Sequence, residues 1–316
     1  MLAEAAAGPI EKVGEALAPS ARPILETLGL AARLDTEAGL ARRCLGVVSD
    51  WGGPHVRDYL REPGGHGWIL DRRAFEAMLA RDARDSGVDW RWRHRLRRAW
   101  PTNSGHKLIL SGEGGAEVAI DAGFVMDASG RAAALARRLG ARRRLASRLV
   151  ARETPPRSQT TPFCGSSWLR IAAGPEGWTY AAEGPDGRLR SLSLGKAIGE
   201  APAARGWEAG FSILDRFHGP AWIAIGDAAA GFDPLTSQGI ANALASGLAG
   251  ARAVHAALGG DATELRTYES AMLTTWSRSR SGAQSVYASE TRWAEEPFWS
   301  AVRSAQLSAT SATLSL

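Results

Sequence analysis

The chain has 316 residues, 45% of them hydrophobic and 22% charged, with a formal net charge of +5. That balance is globular, excludes collagen-like and disordered classes, and gives length enough for two domains with well-buried cores. No run reaches the roughly 18 apolar residues of a membrane span. The two cysteines, Cys44 and Cys164, cannot build a disulfide framework. The first residues carry no basic leader and no apolar core of an export signal, so the reading is cytoplasmic.

Of the 38 basic residues only three are lysine, Lys12, Lys107 and Lys196. The runs Trp90–Arg98 (WRWRHRLRR) and Ala141–Arg148 (ARRRLASR) raise a nucleic-acid partner. The first alternates with period two, as a strand with one solvated face does, and no recognition motif accompanies either. We read no nucleic-acid partner.

In chain order, a loop rich in Ala, Gly and Pro leads to a short helix with Ser20 as N-cap, Pro23 in its first turn, and Gly29 as its stop. An irregular stretch, Asp50–Trp68, follows. Arg72–Ser86 predicts a helix with Phe75, Met78, Leu79 and Ala83 on one face. Val88–Leu96, Lys107–Ser111 and Glu117–Asp121 predict strands. Gly123–Asp127 predicts a short strand that turns at Asp127–Arg131 into a helix over Ala132–Leu139. The composition shifts at Arg152–Gln159 (RETPPRSQ). Trp168–Ala172, Trp178–Ala182 and Leu189–Leu194 then predict a small antiparallel insert, turned at Pro185-Asp186-Gly187. Ala221–Ile225 returns as a buried strand, a long helix opens near Gly239, and the chain from Glu264 onward reads as mostly helical.

The segment from Ala221 to Gly247 (AWIAIGDAAAGFDPLTSQGIANALASG) carries the chemistry. An apolar strand delivers Gly226 and Asp227 at its carboxyl end, where ligands sit on an α/β sheet. A carboxylate there accepts from sugar or ribityl hydroxyls. Pro234 stiffens the loop, Gly239 lets the backbone approach a planar ligand, and the helix from Ile240 aims its positive end at it. An ordinary strand–turn–helix with a capping Asp is the alternative. A weak base candidate is His66 beside Trp68, against a plain hydrogen-bonded loop histidine. Trp51 and Trp178 are candidates to line an aromatic pocket or to pack the core.

GDAA followed by DPLTSQG and a small-residue helix resembles the second FAD fingerprint of flavin-dependent monooxygenases, in the branch with tryptophan halogenases and quinone-cofactor-maturation flavoproteins. Glu11–Leu30, Gly65–Leu79 (GHGWILDRRAFEAML), Phe124–Gly140, Gly177–Gly187 and Glu290–Trp299 (ETRWAEEPFW) resemble other segments of that branch, in order. The resemblance implies an α/β fold with a Rossmann-like FAD-binding domain, a smaller antiparallel substrate domain and a helical C-terminal tail. The divisions are 1–150 and 219–262 for FAD, 151–218 for substrate, and 263–316 for the tail. It further implies FAD on Glu4, Arg72, Asp127, Gly130, Gly226, Asp227, Pro234, Gly239 and Ile240, with no metal. The reaction implied is hydroxylation of an aromatic small molecule or a peptide-bound Trp or Tyr, with NAD(P)H or a separate flavin reductase open as electron source.

Two departures qualify this. The closest approach to G-x-G-x-x-G is Gly112–Gly115 (GEGG), with Glu117 where the last glycine belongs. By family register the first strand, Gly-rich turn and helix, about 30 residues, are absent; a catalytically silent remnant is therefore a competing expectation. Halogenases of this branch also use a lysine in the interval that corresponds to Ala31–Asp71. That interval has none, which counts against halogenation.

Overall fold

The computed structural model describes residues 1–154, 167–195 and 206–303. Cys164, Lys196 and most of the RETPPRSQ boundary lie outside the described residues. The first half runs β1 (Leu2–Ala3), β2 (Ala16–Leu17), α1 (Arg22–Thr27), α2 (Ala31–Thr36), β3 (Ala41–Cys44), β4 (Gly46–Asp50), β5 (Pro54–Asp58), β6 (Gly67–Leu70), α3 (Arg72–Asp85), β7 (Trp90–Arg91), β8 (Arg95–Thr102), β9 (Gly105–Ser111) and β10 (Glu117–Ala122). It continues through β11 (Val125–Asp127), α4 (Ala134–Arg138), β12 (Arg143–Leu145), β13 (Val150–Glu153), β14 (Trp168–Gly174), β15 (Gly177–Glu183), β16 (Leu189–Gly195), β17 (Gly206–Glu208) and β18 (Ser212–Leu214). The chain then returns through β19 (His218–Gly219), β20 (Trp222–Ala224) and β21 (Ala230–Gly231) to the long helices α5 (Gly239–Leu258) and α6 (Thr263–Ser289).

The α/β core comes in parallel pairs. β1 lies parallel to β7, and β11 parallel to β20. Among the described residues no backbone hydrogen bond joins β1 to β11, so the parallel sheet is interrupted. The break falls where the Rossmann order 3-2-1-4 places its first strand.

β7 also corrects a sequence expectation. Val88–Leu96 is not one strand, because Arg93 takes φ 58° and the chain turns between β7 and β8. β8, β9 and β10 form an antiparallel meander. In β10 the exposed Glu117, Ala119 and Asp121 alternate with Val118, Ile120 and Ala122, as one buried face requires. The GEGG run is the hairpin turn between β9 and β10, with Gly114 and Gly115 at φ 68° and 85°. It is not a strand-to-helix turn.

The sheet that holds the predicted antiparallel insert is larger than expected. Seven strands run in the order β17-β13-β16-β15-β14-β4-β5. Two of them, β4 and β5, come from residues 46–58, and β4 pairs with β14 in parallel. Gly46 is required here, since a Cβ would stand 2.2 Å from Arg57 O and 2.3 Å from the Trp168 ring.

A third sheet, β2-β6-β3, carries the second core. Leu17, Leu25, Leu34, Trp68, Leu70, Phe75 and Met78 are buried there between the sheet and α1–α3. Leu79 and Ala83, expected on the same face of α3, are only partly buried. Asp71 caps α3 by accepting from Ala74 N at 2.8 Å. Ser20 caps nothing: it sits inside a short 3-10 turn, Pro19–Ala21, ahead of α1.

Residues of α6 explain how the tail joins the fold. Leu265, Tyr268, Met272, Trp276, Ala283 and Tyr287 recur at helical spacing and are buried. Their polar tips reach back to the return segment. Tyr268 Oη donates to Ala224 O at 2.8 Å, Trp276 Nε1 to Gly231 O at 3.2 Å, and Tyr287 Oη to Asp233 Oδ2 at 3.0 Å. Among the described residues no helix is long and apolar enough to cross a membrane.

Candidate functional site

β20 is wholly buried, so it can deliver its next residues only at its carboxyl end. Gly226 follows at φ 56°, a conformation that favours glycine, and its N–H donates to Ser246 Oγ on α5 at 2.8 Å. Asp227 is next. Its side chain is 39% exposed, and the nearest cation is Arg131 Nε at 3.5 Å. No N–H or O–H among the described residues donates to this carboxylate. Burial by the surrounding protein pushes its carboxyl upward, and the charges of Arg131, Arg143 and Arg72 oppose that rise.

Two arginines fix the loop behind it. Arg131 donates to Gly210 O at 2.5 Å and to Phe232 O at 2.7 Å. Arg143 donates to Ser212 Oγ at 2.9 Å and to the carbonyls of Asp227 and Ala228 at 3.0 and 2.5 Å. Burial lowers Arg143 to about 10. Neither role was visible in the sequence, because carbonyl-anchoring arginines have no motif.

The loop then turns on Asp233, which caps the 3-10 turn Pro234–Thr236 by accepting from Leu235 N at 2.9 Å. Pro234 occupies the first position of that turn. Gly239 opens α5 with free space where a Cβ would stand. Ile240 is partly buried against the second core.

Asp127 ends β11, beside β20. Its Oδ1 accepts from Ser129 N and Oγ at 3.0 and 2.6 Å, and its Oδ2 from Leu135 and Ala136 N at 2.9 and 2.8 Å. That carboxylate is fully used in shaping the turn, in which Gly130 has φ 68° and open space around its Cβ position. Glu4 stands just beyond β1, where its Oε1 accepts from Ala6 N at 2.8 Å. Arg72 opens α3 and donates to Gly14 O at 3.0 Å and Glu76 Oε1 at 2.8 Å; its Nε is buried without a partner.

His66 stands beside Trp68, with ring centroids 5.1 Å apart, and it is tied up as a hydrogen-bonded loop histidine. Its Nε2 lies 2.8 Å from Asp35 Oδ1, which also accepts from Trp68 Nε1 at 3.0 Å. This group belongs to the second core, with Arg22 stacked 4.5 Å from the Trp68 ring centroid. Trp51 and Trp178 do come together, with ring centroids 6.2 Å apart, but both are buried in the main core. Tyr287 and Trp299 complete that cluster, and Trp178 Nε1 donates to Tyr287 Oη at 3.0 Å.

Comparison with known proteins bears on the fold. Residues 209–315 match the tryptophan halogenase family model. The chain is similar in structure to the myxobacterial chondrochloren halogenase CndH, a variant of the FAD-dependent halogenases, at TM-score 0.82 and 21% identity over 95% of this chain and 79% of that one. It is also similar to p-nitrophenol 4-monooxygenase PnpA from Pseudomonas putida (TM-score 0.74, 16% identity, 98% of this chain and 90% of that one). A third likeness is to the peptidyl tryptophan dihydroxylase QhpG of tryptophylquinone biogenesis (TM-score 0.69, 20% identity, 92% and 70%). No curated protein matches the chain in sequence.

Proposed function

Because the chain has the fold of the FAD-dependent halogenases and monooxygenases, we propose that it is an FAD-dependent oxidoreductase that hydroxylates an aromatic substrate. A peptide-bound Trp or Tyr is included in that class. The observation that carries the cofactor is Asp227: a partly exposed carboxylate to which none of the described residues donates a hydrogen bond, at the carboxyl end of a buried parallel strand. Such a group is suited to ribityl hydroxyls.

The residues present fit the ribityl and ring side of a flavin. Asp227 would accept from ribityl hydroxyls, while Gly239 and Ile240 would present backbone N–H groups at the positive end of α5. Gly130 and Gly226 would let the backbone approach closely, Pro234 would hold the loop, and Arg72 would supply charge. Glu4 would meet the adenosine ribose. The sequence offers no G-x-G-x-x-G cradle for the pyrophosphate. FAD, when bound, supplies the activation of dioxygen. The chain's own residues hold the loop, keep it dry through the aromatic core, and orient substrate. The electron source is NAD(P)H or a separate flavin reductase.

Halogenation is the second reading, favoured by the family match at residues 209–315. Against it stands the lysine-free interval 31–71; the acidic Asp50 at the end of β4 is paired there with Arg292 at 2.7 Å. The deciding experiment has two steps. The chain is mixed with FAD, freed of unbound flavin, and its visible spectrum recorded; no retained flavin bands sinks the enzyme reading and leaves a silent remnant. The reduced, loaded chain is then given an indole- or phenol-bearing peptide with and without bromide. Oxygen incorporation in both supports hydroxylation, and a brominated product only with bromide overturns it.

A further inference from the structure

The hydrogen bond from Tyr287 to Asp233 is one link of a longer chain of groups inside the main core. Trp51, Trp178, Tyr287, Phe298 and Trp299 meet edge to face or tilted, with ring centroids 5.1–6.2 Å apart. All five are buried; Trp51, the most accessible, is 6% exposed. The cluster reaches from the turn after β4, which carries Trp51, to the loop between Asp227 and Gly239, which carries Asp233.

What separates these rings is where each polar hydrogen goes. Trp51 Nε1 donates to Val286 O at 2.7 Å, and Trp299 Nε1 to Gly174 O at 2.8 Å. Trp178 Nε1 donates to Tyr287 Oη at 3.0 Å, and Tyr287 Oη donates onward to Asp233 Oδ2 at 3.0 Å. A carbonyl does not take up a proton at neutral pH, whereas a carboxylate does. Asp233 is 3% exposed, its Oδ1 accepts from Leu235 N, and Tyr287 is the one donor to its Oδ2 among the described residues. Burial raises its affinity for a proton. Of the other three tyrosines, Tyr268 donates to the Ala224 carbonyl. Tyr180 donates to a carboxylate, Glu15 Oε2, at 3.2 Å, but no ring of the described residues stacks on it. Tyr287 alone joins a ring cluster to a carboxylate.

We propose that Tyr287, with Asp233 as its proton acceptor, is a redox-active tyrosine fed by Trp51, Trp178 and Trp299, a one-electron relay that rests oxidising equivalents inside the core. It goes beyond the flavin reading and does not depend on it. Electrons tunnel through packed protein, so nothing has to reach the buried rings. The oxidant is a one-electron oxidant stronger than an oxidised indole, of the hydroxyl- or carbonate-radical class. It takes one electron from an indole of the cluster and is reduced, leaving an indole radical cation. That cation keeps its N–H proton, because its acceptor is a carbonyl or a phenol. Tyr287 then returns one electron to the indole and gives its O–H proton to Asp233 Oδ2. The indole is restored, the Tyr287 O–H is broken, an Asp233 O–H is formed, and the unpaired electron stays on Tyr287. The Trp178 N–H remains as donor to the phenoxyl oxygen. Passing the proton to a carboxylate is what makes this phenol the easiest ring of the cluster to oxidise.

The test uses the full chain without flavin, oxidised by flash photolysis of ruthenium(II) tris(bipyridine) with persulfate. Radicals are read by EPR and transient absorption. Wild type is expected to give a tyrosyl radical. Its yield should fall at least fivefold in Tyr287→Phe, although the other three tyrosines remain. Asp233→Asn should lower it as much, with an indole radical persisting in its place. Trp51→Phe should slow its formation at least threefold, and Tyr180→Phe should leave it unchanged. Should Tyr287→Phe fail to fold, Asp233→Asn keeps every ring and gives the same readout. No tyrosyl radical in wild type, a yield unmoved by Tyr287→Phe or Asp233→Asn, a rate unmoved by Trp51→Phe, or loss of the signal in Tyr180→Phe overturns the proposal. Failure to retain FAD in the earlier experiment removes the flavin reading without touching these readouts.

Discussion

The Tyr287 phenol donates a 3.0 Å hydrogen bond to Asp233 Oδ2, and both groups are buried. This one contact ties the last turn of α6 to the loop between Asp227 and Gly239. It packs the helical tail against the loop of the candidate site, although the two residues are 54 positions apart in sequence.

Removing the donor should loosen that loop. Tyr287→Phe leaves Asp233 with only Leu235 N and deprives Trp178 Nε1 of its acceptor. A loss of about 1–3 kcal/mol is expected for such buried unsatisfied groups. Urea unfolding checks the magnitude, and flavin affinity should fall with it.

Asp233 also sets a pH dependence. Burial raises it to about 6, against its usual value near 3.8. The folded chain then binds this proton more tightly than the unfolded one, so this group's contribution falls as pH rises from about 4 to 6 and is flat above. The loss is on the order of 3 kcal/mol. Subtracting the Asp233→Asn stability profile from that of wild type isolates it; a flat difference across that window disproves it.

Glu290 works in the opposite sense. It accepts from Gly52 N and Arg292 N, each at 2.8 Å, and from the Arg292 guanidinium, which together lower it to about 2. Its contribution is therefore complete above the ordinary glutamate range and is lost as pH falls toward 2. Arg292→Met should raise the acid-unfolding midpoint, measured by circular dichroism, and should cost about 1–3 kcal/mol at neutral pH through the lost hydrogen bonds.

Two aspartates at adjacent strand ends should separate binding from stability. Asp227→Asn removes a carboxylate that, among the described residues, is held only by the Arg131 ion pair at 3.5 Å, so unfolding should change by less than about 1 kcal/mol, while FAD binding followed by flavin fluorescence should weaken at least tenfold. Asp127→Ala discards four accepted hydrogen bonds and should cost about 3 kcal/mol or more. Equal destabilisation by both would contradict this division.

Much of the local structure was legible in the sequence. Periodicity located α3, the Gly-punctuated loop located the start of α5, the tail from Glu264 read as helical, and the apolar run before Gly226-Asp227 located β20. Other elements failed for identifiable reasons. Arg93 breaks an apparently continuous strand by a backbone conformation that the Arg–Trp alternation hides. Ser20 loses its capping role because Pro19 starts a tighter turn before it.

The sequence alone determined the strand-end carboxylate Asp227, the glycines beside it, and the resemblance that went with them, because those are adjacent residues whose spacing is itself the signal. It also made clear the lysine-free interval, which is a matter of counting. Only the tertiary structure decided which groups are spent and which are free. Asp127 and Asp227 look alike in sequence, yet one holds four hydrogen-bond donors and the other, among the described residues, only the ion pair with Arg131. His66 went to Asp35, while Glu15, which no motif marks, met Tyr180 across 165 residues. The physical reason is that burial and hydrogen-bond pairing depend on contacts between distant segments, and no local pattern encodes them.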